Sequence, residues 1–310
     1  MVFELVNNDA NKLHVDAGLT IFNGLFSYII DHLNKYKDQL YDIFVKCLNH
    51  ADLDINLAAL RAVSNYLETV EQKDTKKFIA LIPNITHVLK KALEMDDEVV
   101  LKDGLIEFNE IAEIEPKFFQ SKFKEIFDEL SPIVLKNDFA NIQIRQLPIE
   151  FFVTVIERIP NIAKKDQNLL VSLIDIIFKL MIDIDDDIPE SWLRPKEGFK
   201  DKDDEDMDCE DNVDFGKGCI DKIISAVGDT ICLPLMSQIV TNTIANEADW
   251  RYKNASLMAF SQVGEYINDI QNISKMVPIV VEHLQHQCPK IRYAALHCIG
   301  QISDDMTEEF

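Results

Sequence analysis

Carboxylates are the most concentrated chemical group in this sequence. Between Asp183 and Asp214 there are 15 Asp and Glu residues against four Lys and Arg residues, a net charge of −11, and the densest run extends from Asp201 to Asp211. Such a segment cannot bury enough apolar surface to offset its ordering entropy, and its like charges repel one another. The sequence therefore predicts a mobile acidic insertion over 184–213 that attracts Lys- and Arg-rich partners.

Two other interpretations of the acidic segment are a calcium loop and a solvated linker. In an EF-hand frame that begins at Asp203, Asp208 falls where the sharp turn needs Gly, and Asp214 falls where a bidentate Glu is expected. No calcium site is therefore predicted. Against a linker without a role, the loop interrupts a regular helical pattern, and Trp192 has no helical face to join.

His283, His286 and Cys288 are close enough in sequence to suggest a metal site. They fall at a helix end and in the following turn, and a convincing fourth ligand is missing. We interpret them as polar residues of the surface, and no metal is expected.

The sequence motifs of common enzymes are missing. The nine Gly residues form neither GxGxxG nor GxxxxGK[ST], and there is no GxSxG elbow. The seven His residues are not paired with a Ser or Cys at motif spacing. We therefore expect no bound cofactor and no enzymatic activity.

Charge and cysteine content restrict the partners and the compartment. A formal charge of −23 argues against nucleic acid as a direct ligand and favours basic partners. No apolar run reaches the roughly 20 residues that span a bilayer, and the N-terminal segment lacks the basic start of a signal peptide. The six cysteines form no CxxC pair, which is typical of reduced core thiols. A soluble protein of the cytoplasm and nucleus is expected.

The helices that must carry these acidic and polar residues are predicted from a motif that repeats along the chain. A motif of small and apolar residues, which we call the anchor, recurs with spacings of 38, 45, 44, 71, 37 and 39 residues. Its first positions are Thr20, Ala58, Asp103, Leu147, Gly218, Ala255 and Ala294. Five spacings fit a helical hairpin of HEAT or armadillo size, and the spacing of 71 equals one unit plus the acidic insertion.

Each anchor helix is preceded by a second amphipathic helix, so each unit is a helix pair. The paired helices are predicted at 1–33, 36–70, 77–114, 117–158, 163–229, 231–268 and 271–304. Prolines are predicted inside the first helices, where a missing N–H should kink them, at Pro83, Pro132, Pro234 and Pro278. The fold class is therefore all-α, a HEAT-repeat solenoid, a right-handed superhelix of about seven hairpins in one array over 1–310. A non-repeating helical bundle is the alternative.

Two segments carry a more specific resemblance. Residues 249–265 have the sequence DWRYKNASLMAFSQVGE, and residues 289–304 have the sequence PKIRYAALHCIGQISD. They resemble the central region of the importin-β (karyopherin-β) nuclear transport receptors, and are most similar to the importin-five branch. The motif residues are Asp249, Trp250, Arg251, Pro289, Arg292 and Tyr293. A structural role is expected for them, in which Trp250 fills the seam between units while Arg251 and Arg292 cap or bridge neighbouring turns.

The resemblance implies a function in transport. It implies binding of basic cargo proteins, Ran-GTP and Phe-Gly nucleoporins, with shuttling between cytoplasm and nucleus. It also implies that the acidic loop contacts basic surface on Ran or cargo, with a set of seven candidate residues. These are Asp203, Asp204, Glu205, Asp206, Asp208, Glu210 and Asp211.

Receptors of this family have about twenty repeats, so the chain is expected to be a central fragment that lacks the N-terminal repeats of the main Ran contact. Over residues 1–180 the resemblance is architectural only. The alternative function is a HEAT-repeat interaction scaffold unrelated to transport, which would need neither an acidic loop nor pockets for Phe-Gly repeats.

Overall fold

The computed structural model describes residues 2–8, 11–184, 212–266 and 277–305, and every regular element in these ranges is helical. The chain divides into two compact units, residues 1–159 and 160–310. The prediction of an all-α HEAT-repeat fold is confirmed. The seven candidate residues of the acidic loop and Trp192 lie outside the described residues.

The first unit consists of nine described α-helices. They are α1 (Val2–Val6), α2 (Lys12–Leu33), α3 (Lys37–Leu48), α4 (Leu53–Thr69), α5 (Gln72–Thr75), α6 (Ile82–Glu94), α7 (Glu98–Ile114), α8 (Phe123–Leu135) and α9 (Gln143–Arg158). The helices α2, α4, α7 and α9, which we call the second helices, pack against one another in succession. Each of α3, α6 and α8 packs on the second helix that follows it.

The second unit has the same alternation. Its described helices are α10 (Asn161–Lys165), α11 (Gln167–Ile182), α12 (Asn212–Val227), α13 (Asp229–Ile244), α14 (Trp250–Val263) and α15 (Pro289–Asp305). The second helices α12, α14 and α15 pack in succession, while α11 packs on α12 and α13 on α14. All seven anchors lie within second helices.

Burial of the second helices explains the repeated anchor. In α4 the residues at 55, 59, 60, 62, 63 and 66 are fully buried, because the helix is enclosed by its own first helix and by the second helices on either side. Only a narrow stripe remains accessible along it, at Asp54, Ala58, Arg61, Asn65, Glu68 and Thr69. A helix surrounded in this way needs small and branched apolar residues on most of its circumference.

Aspartates start several of these helices. Asp52, Asp97 and Asp249 each accept a hydrogen bond from a backbone N–H in the first turn of α4, α7 and α14, at 3.0 to 3.1 Å. Asp166 does the same for α11. A side-chain oxygen at this position satisfies one of the donors that a helix leaves free, which fixes where each helix begins.

Buried donors close the turns between paired helices. Asn56 is fully buried, and its Nδ2 donates to the carbonyls of Cys47, Leu48 and His50 at 2.9 to 3.1 Å. Its Oδ1 accepts from Lys91 Nζ at 2.9 Å, and the same ammonium donates to the carbonyls of His50 and Ala51. These bonds satisfy the carbonyls that the end of α3 leaves without helical partners.

The prolines differ in part from the sequence prediction. Pro132 and Pro234 lie inside first helices, as expected. Pro83 is at the first turn of α6, where a short 3-10 helix over Phe78–Leu81 changes to α-helix, so it does not interrupt a helix interior. Proline suits this position because its N–H would have no partner there. Pro148, which had no predicted role, lies inside the second helix α9.

The core of the first unit is rich in aromatic rings. Phe26, Phe44, Tyr66 and Phe78 contact one another with ring centroids 4.7 to 6.5 Å apart. Further along, Phe108, Phe119, Phe123, Phe151 and Phe152 form a similar cluster. Such clusters bury a large area per residue and join each helix pair to the next.

Among the described cysteines none forms a disulfide, and four of the five are buried. They are Cys47, Cys219, Cys232 and Cys298, with Cys288 half-buried. Burial raises the pKa of Cys232 to about 11 and that of Cys298 to about 12. Within the described ranges, no helix is both long and apolar enough to cross a membrane.

Candidate protein-binding surface

The acidic insertion enters and leaves between two helices of one pair. The helix α11 ends at Ile182 and α12 begins at Asn212. Asn212 is buried, and its Nδ2 donates to the carbonyl of Asp183 at 2.9 Å, so the two described ends of the insertion are joined. Because α12 includes Asn212 and Val213, the helix begins slightly earlier than the predicted insertion 184–213 ends.

The motif residues at the start of α14 hold one another. The carboxylate of Asp249 accepts from Arg251 Nε at 3.0 Å and from Nη2 at 2.7 Å. A hydrogen bond of 3.5 Å also joins Arg251 Nη1 to the carbonyl of Ile184. The guanidinium keeps the pKa of Asp249 below its usual range, so the capping carboxylate remains charged.

The motif residues at the start of α15 also act within the fold. Arg292 Nη1 donates to the carbonyls of His286 and Gln287, at 2.9 and 3.0 Å, and so closes the turn before the helix. Pro289 is buried in the first turn, where proline is favoured. Trp250 is half-buried, and Lys290 Nζ lies 5.2 Å from the centroid of its ring, which brings the starts of α14 and α15 together.

Tyr293 differs from the other five motif residues, because 42% of it is exposed. Its ring stacks on that of His297, with centroids 6.2 Å apart. Burial and the neighbouring Lys217 lower the pKa of His297, and its Nε2 is 3.4 Å from Lys217 Nζ. Of the six motif residues, Tyr293 therefore presents the most accessible aromatic surface.

The histidines near residue 285 need a correction. They were expected at the surface, yet His283 is buried, and its Nδ1 is 2.7 Å from the carbonyl of Ile279. His286 Nδ1 accepts from the backbone N–H of Cys288 at 3.1 Å. In the described part of the chain, His, Cys, Asp and Glu side chains form no group of three that could hold a metal ion.

The second helices of residues 1–159 present a feature that the sequence analysis missed. The penultimate residue of each of α4, α7 and α9 is an exposed glutamate: Glu68, Glu113 and Glu157. We call these three residues the glutamate row. They are 45 and 44 positions apart, and each comes ten residues after its anchor. The anchors therefore contained the signal, and Glu265 and Asp304 follow their anchors by the same ten residues.

Helix stability does not explain the glutamate row. The C-terminal end of a helix carries a partial negative charge, so a carboxylate in the last turn is unfavourable by about 0.3–1 kcal/mol at an exposed position. In α4 and α7 there is no basic residue in the last turn to offset this cost. Carboxylates that recur where the helix disfavours them indicate a role outside the helix.

More carboxylates lie beside the row. The helix α7 carries five acidic residues and one lysine, and Glu110 on it is exposed. Asp103 and Glu107, two turns and one turn before Glu110, are paired with Arg61 of α4. Glu150 on α9 is exposed as well. We call this surface of α4, α7 and α9 the acidic face, and its groups can bind cationic side chains.

Glu107 is the least accessible carboxylate of the acidic face. Its side chain is 13% exposed and lies 3.3 Å from Arg61 Nε, and Ser64 also forms a hydrogen bond with it. Burial and the charge of Glu110 raise the pKa of Glu107 to about 7, against the opposing effect of Arg61. The charge of this group is therefore sensitive to pH near neutrality.

Paired helices, their spacing and their buried anchors define a HEAT-repeat protein. Comparisons with known proteins extend this assignment. A family described as "IPO5-like, TPR repeats" matches residues 1–128, an "Importin repeat" matches 137–234, and a "HEAT repeat" matches 276–306. The chain belongs to the importin-β family, and is similar to its importin-five branch.

A curated relative and several solved structures are consistent with this family. Importin subunit beta-3 of Saccharomyces cerevisiae is 24% identical over 278 residues, which cover 87% of this chain and 24% of that protein. Kap121p bound to the extreme C-terminus of the protein phosphatase Cdc14p is similar with a TM-score of 0.83 at 19% identity. Kap121p bound to Nup53p gives 0.82 at 20%. Both structures cover 99% of this chain, which spans 29% of their length.

Proposed function

We propose that this chain is a cargo-binding segment of a nuclear transport receptor that shuttles between cytoplasm and nucleus. Its partners would be basic cargo proteins, Ran-GTP and Phe-Gly nucleoporins. It would act by reversible association, without covalent chemistry and without a cofactor. Ligands that favour different arrangements of the repeats would then lower one another's affinity through a coupling free energy.

Family membership and the partners of related proteins support this proposal. Solved structures describe Kap121p with Cdc14p, with the SUMO protease Ulp1p and with Nup53p. A Kap121p variant with three acidic residues replaced by lysine has also been solved. For this chain, we infer partners of the same two kinds, cargo proteins and a nucleoporin.

The glutamate row is the observation that carries the proposal for basic cargo. Packed helices lie about 8–10 Å apart, and an extended chain rises about 3.3 Å per residue. An extended peptide with a cation at every third residue therefore matches carboxylates on three successive second helices. Attraction between the acidic face and such a peptide would raise its association rate and would weaken with salt.

The acidic loop would supply a second contact for the same partners. We propose that Asp203, Asp204, Glu205, Asp206, Asp208, Glu210 and Asp211 attract basic surface on cargo or on Ran-GTP. The acidic face and the loop would then contribute additively to the salt dependence of binding.

Binding of a nine-residue peptide with Lys at every third position tests the proposal. We would measure its affinity by fluorescence anisotropy over a salt series, for the chain and for the variant Glu68→Gln, Glu113→Gln, Glu157→Gln. We expect about tenfold weaker binding for this variant, since an exposed ion pair contributes about 0.2–1 kcal/mol.

A matched control separates a specific site from net charge. The substitutions Asp42→Asn, Asp128→Asn and Glu129→Gln remove three exposed carboxylates from the first helices α3 and α8. Equal losses of affinity for the two variants would contradict the role of the glutamate row. A third variant with 201–211 replaced by Ser and Gly measures the contribution of the loop.

A further inference from the structure

Arg61 is an unusual residue of the acidic face. It lies in the accessible stripe of α4, and its side chain is 44% exposed. Its Nη2 is 2.7 Å from Asp103 Oδ2, and its Nε is 3.3 Å from Glu107 Oε1. Both carboxylates belong to the next second helix, α7. A positive charge of the chain thus lies within a surface that is predominantly acidic.

The stability of the fold does not require this arrangement. An ion pair with a half-exposed arginine contributes little to stability, because solvent screens it and ordering the side chain costs entropy. The two helices are already held by buried contacts, including Leu60 and Leu105, which are at most 1% exposed. Arg61 therefore has little effect on whether α4 and α7 pack.

Arg61 binds Asp103 and Glu107 through the same kind of charged group that a basic partner would supply. A guanidinium or an ammonium ion from a basic peptide would bind the same two carboxylates in the same way. Arg61 can leave them, since its side chain is long, flexible and open to solvent. An incoming cation must therefore displace Arg61 or accept a repulsive neighbour.

We propose that Arg61 is an internal competitor that limits the affinity of the acidic face for Lys- and Arg-rich partners. This inference rests on the proposed function, in which that face binds basic cargo. Arg61 holds the carboxyl groups of Asp103 and Glu107 in place while no partner is bound. It also discriminates against weakly basic segments, which cannot displace it.

The experiment measures binding of the Lys-containing nine-residue peptide to Arg61→Gln, Arg61→Lys and Arg158→Gln. Arg61→Gln should bind about fivefold more tightly, because one like charge near the site is removed and the carboxylate of Asp103 becomes available. Arg61→Lys, which keeps the charge, should bind within about twofold of the parent chain. Circular dichroism would verify that each variant is folded.

Arg158→Gln is the matched control. Arg158 is exposed beside Glu157 at the end of α9, so its replacement changes the net charge equally without freeing Asp103 or Glu107. The combined variant Arg61→Gln, Asp103→Asn, Glu107→Gln should lose the gain. Equal tightening by Arg158→Gln, or no tightening by Arg61→Gln, overturns the inference while leaving the proposed function intact.

If the proposed function itself is wrong, the same binding experiment gives a different result. If neither the parent chain nor Arg61→Gln binds the peptide at low salt, both the basic-cargo role of the acidic face and the competitor role of Arg61 are wrong. If the parent chain binds and Arg61→Gln binds more tightly in the manner described, both are supported.

Discussion

Replacement of Asn56 by Ala should destabilise the first unit strongly. The fully buried side chain donates to three carbonyls and accepts from Lys91. A buried polar group that loses its partner costs about 1–3 kcal/mol, and Asn56→Ala removes the donors for the carbonyls of Cys47, Leu48 and His50. The carbonyl of Cys47 still accepts from the N–H of His50 and that of His50 still accepts from Lys91, so the main loss is at Leu48 and the expected cost is about 2 kcal/mol.

The assay must report on residues 1–159. Both tryptophans, Trp192 and Trp250, lie beyond this unit, so tryptophan fluorescence would follow the other one. We would use urea unfolding by circular dichroism, with hydrogen exchange of peptides that cover 44–57. Increased exchange should be concentrated at the end of α3 and the start of α4.

Asn65→Ala is the matched control for this prediction. Asn65 is on the same helix and half-buried, and its Nδ2 donates at 3.0 Å to the carbonyl of Arg61 in the preceding turn. Its replacement should cost less than about 0.5 kcal/mol. If Asn56→Ala is as stable as Asn65→Ala, the buried amide does not hold the turn and our account of it is wrong.

Two further predictions concern α12 and Glu107. Gly216→Ala should lower the melting temperature because its Cβ would lie 2.3 Å from Met181 Cγ, whereas Gly218→Ala, with nothing within 4 Å, should be neutral or stabilising by about 0.5–1 kcal/mol; equal melting temperatures would contradict this. The pKa of Glu107 is raised from 4.5 to about 7 in the fold, so its ionisation destabilises the fold above pH 7, and stability is regained as the pH falls from 7 towards 4.5. Glu107→Gln should therefore stabilise the protein by about 1–2 kcal/mol at pH 8 and have little effect at pH 5, measured by urea unfolding at both values; the opposite trend with pH would refute the assignment.

The sequence was sufficient to predict the helix pairs because their signals are local. Spacing of the anchors and apolar periodicity depend on residues a few positions apart, and the ends of α4, α7 and α9 fall within one residue of the predicted boundaries at 70, 114 and 158. The exception at Pro83 has the same origin, since a proline pattern alone does not distinguish the interior of a helix from its first turn.

The acidic face was harder to predict. The regular spacing of Glu68, Glu113 and Glu157 is visible in the sequence. The prediction of an acidic contact nevertheless rested on the contiguous run of carboxylates in 201–211 alone. The pairing of Arg61 with Asp103 and Glu107 joins side chains 42 and 46 positions apart, and depends on how two helices are rotated about their axes. Periodicity gives the buried side of each helix and leaves such contacts undetermined.

The hydrogen bonds from Lys91 to the preceding helix pair have a consequence for folding of the chain during its synthesis on the ribosome. Its ammonium group completes the turn that contains His50 and Ala51, although it belongs to the helix pair that follows. While the nascent chain ends at Thr69, α3 and α4 can both have formed, yet both carbonyls lack the donor from Lys91, and only that of His50 has Asn56 in its place. Each pair would therefore reach its full stability only after the next first helix has emerged, so that folding follows translation with a delay of one helix.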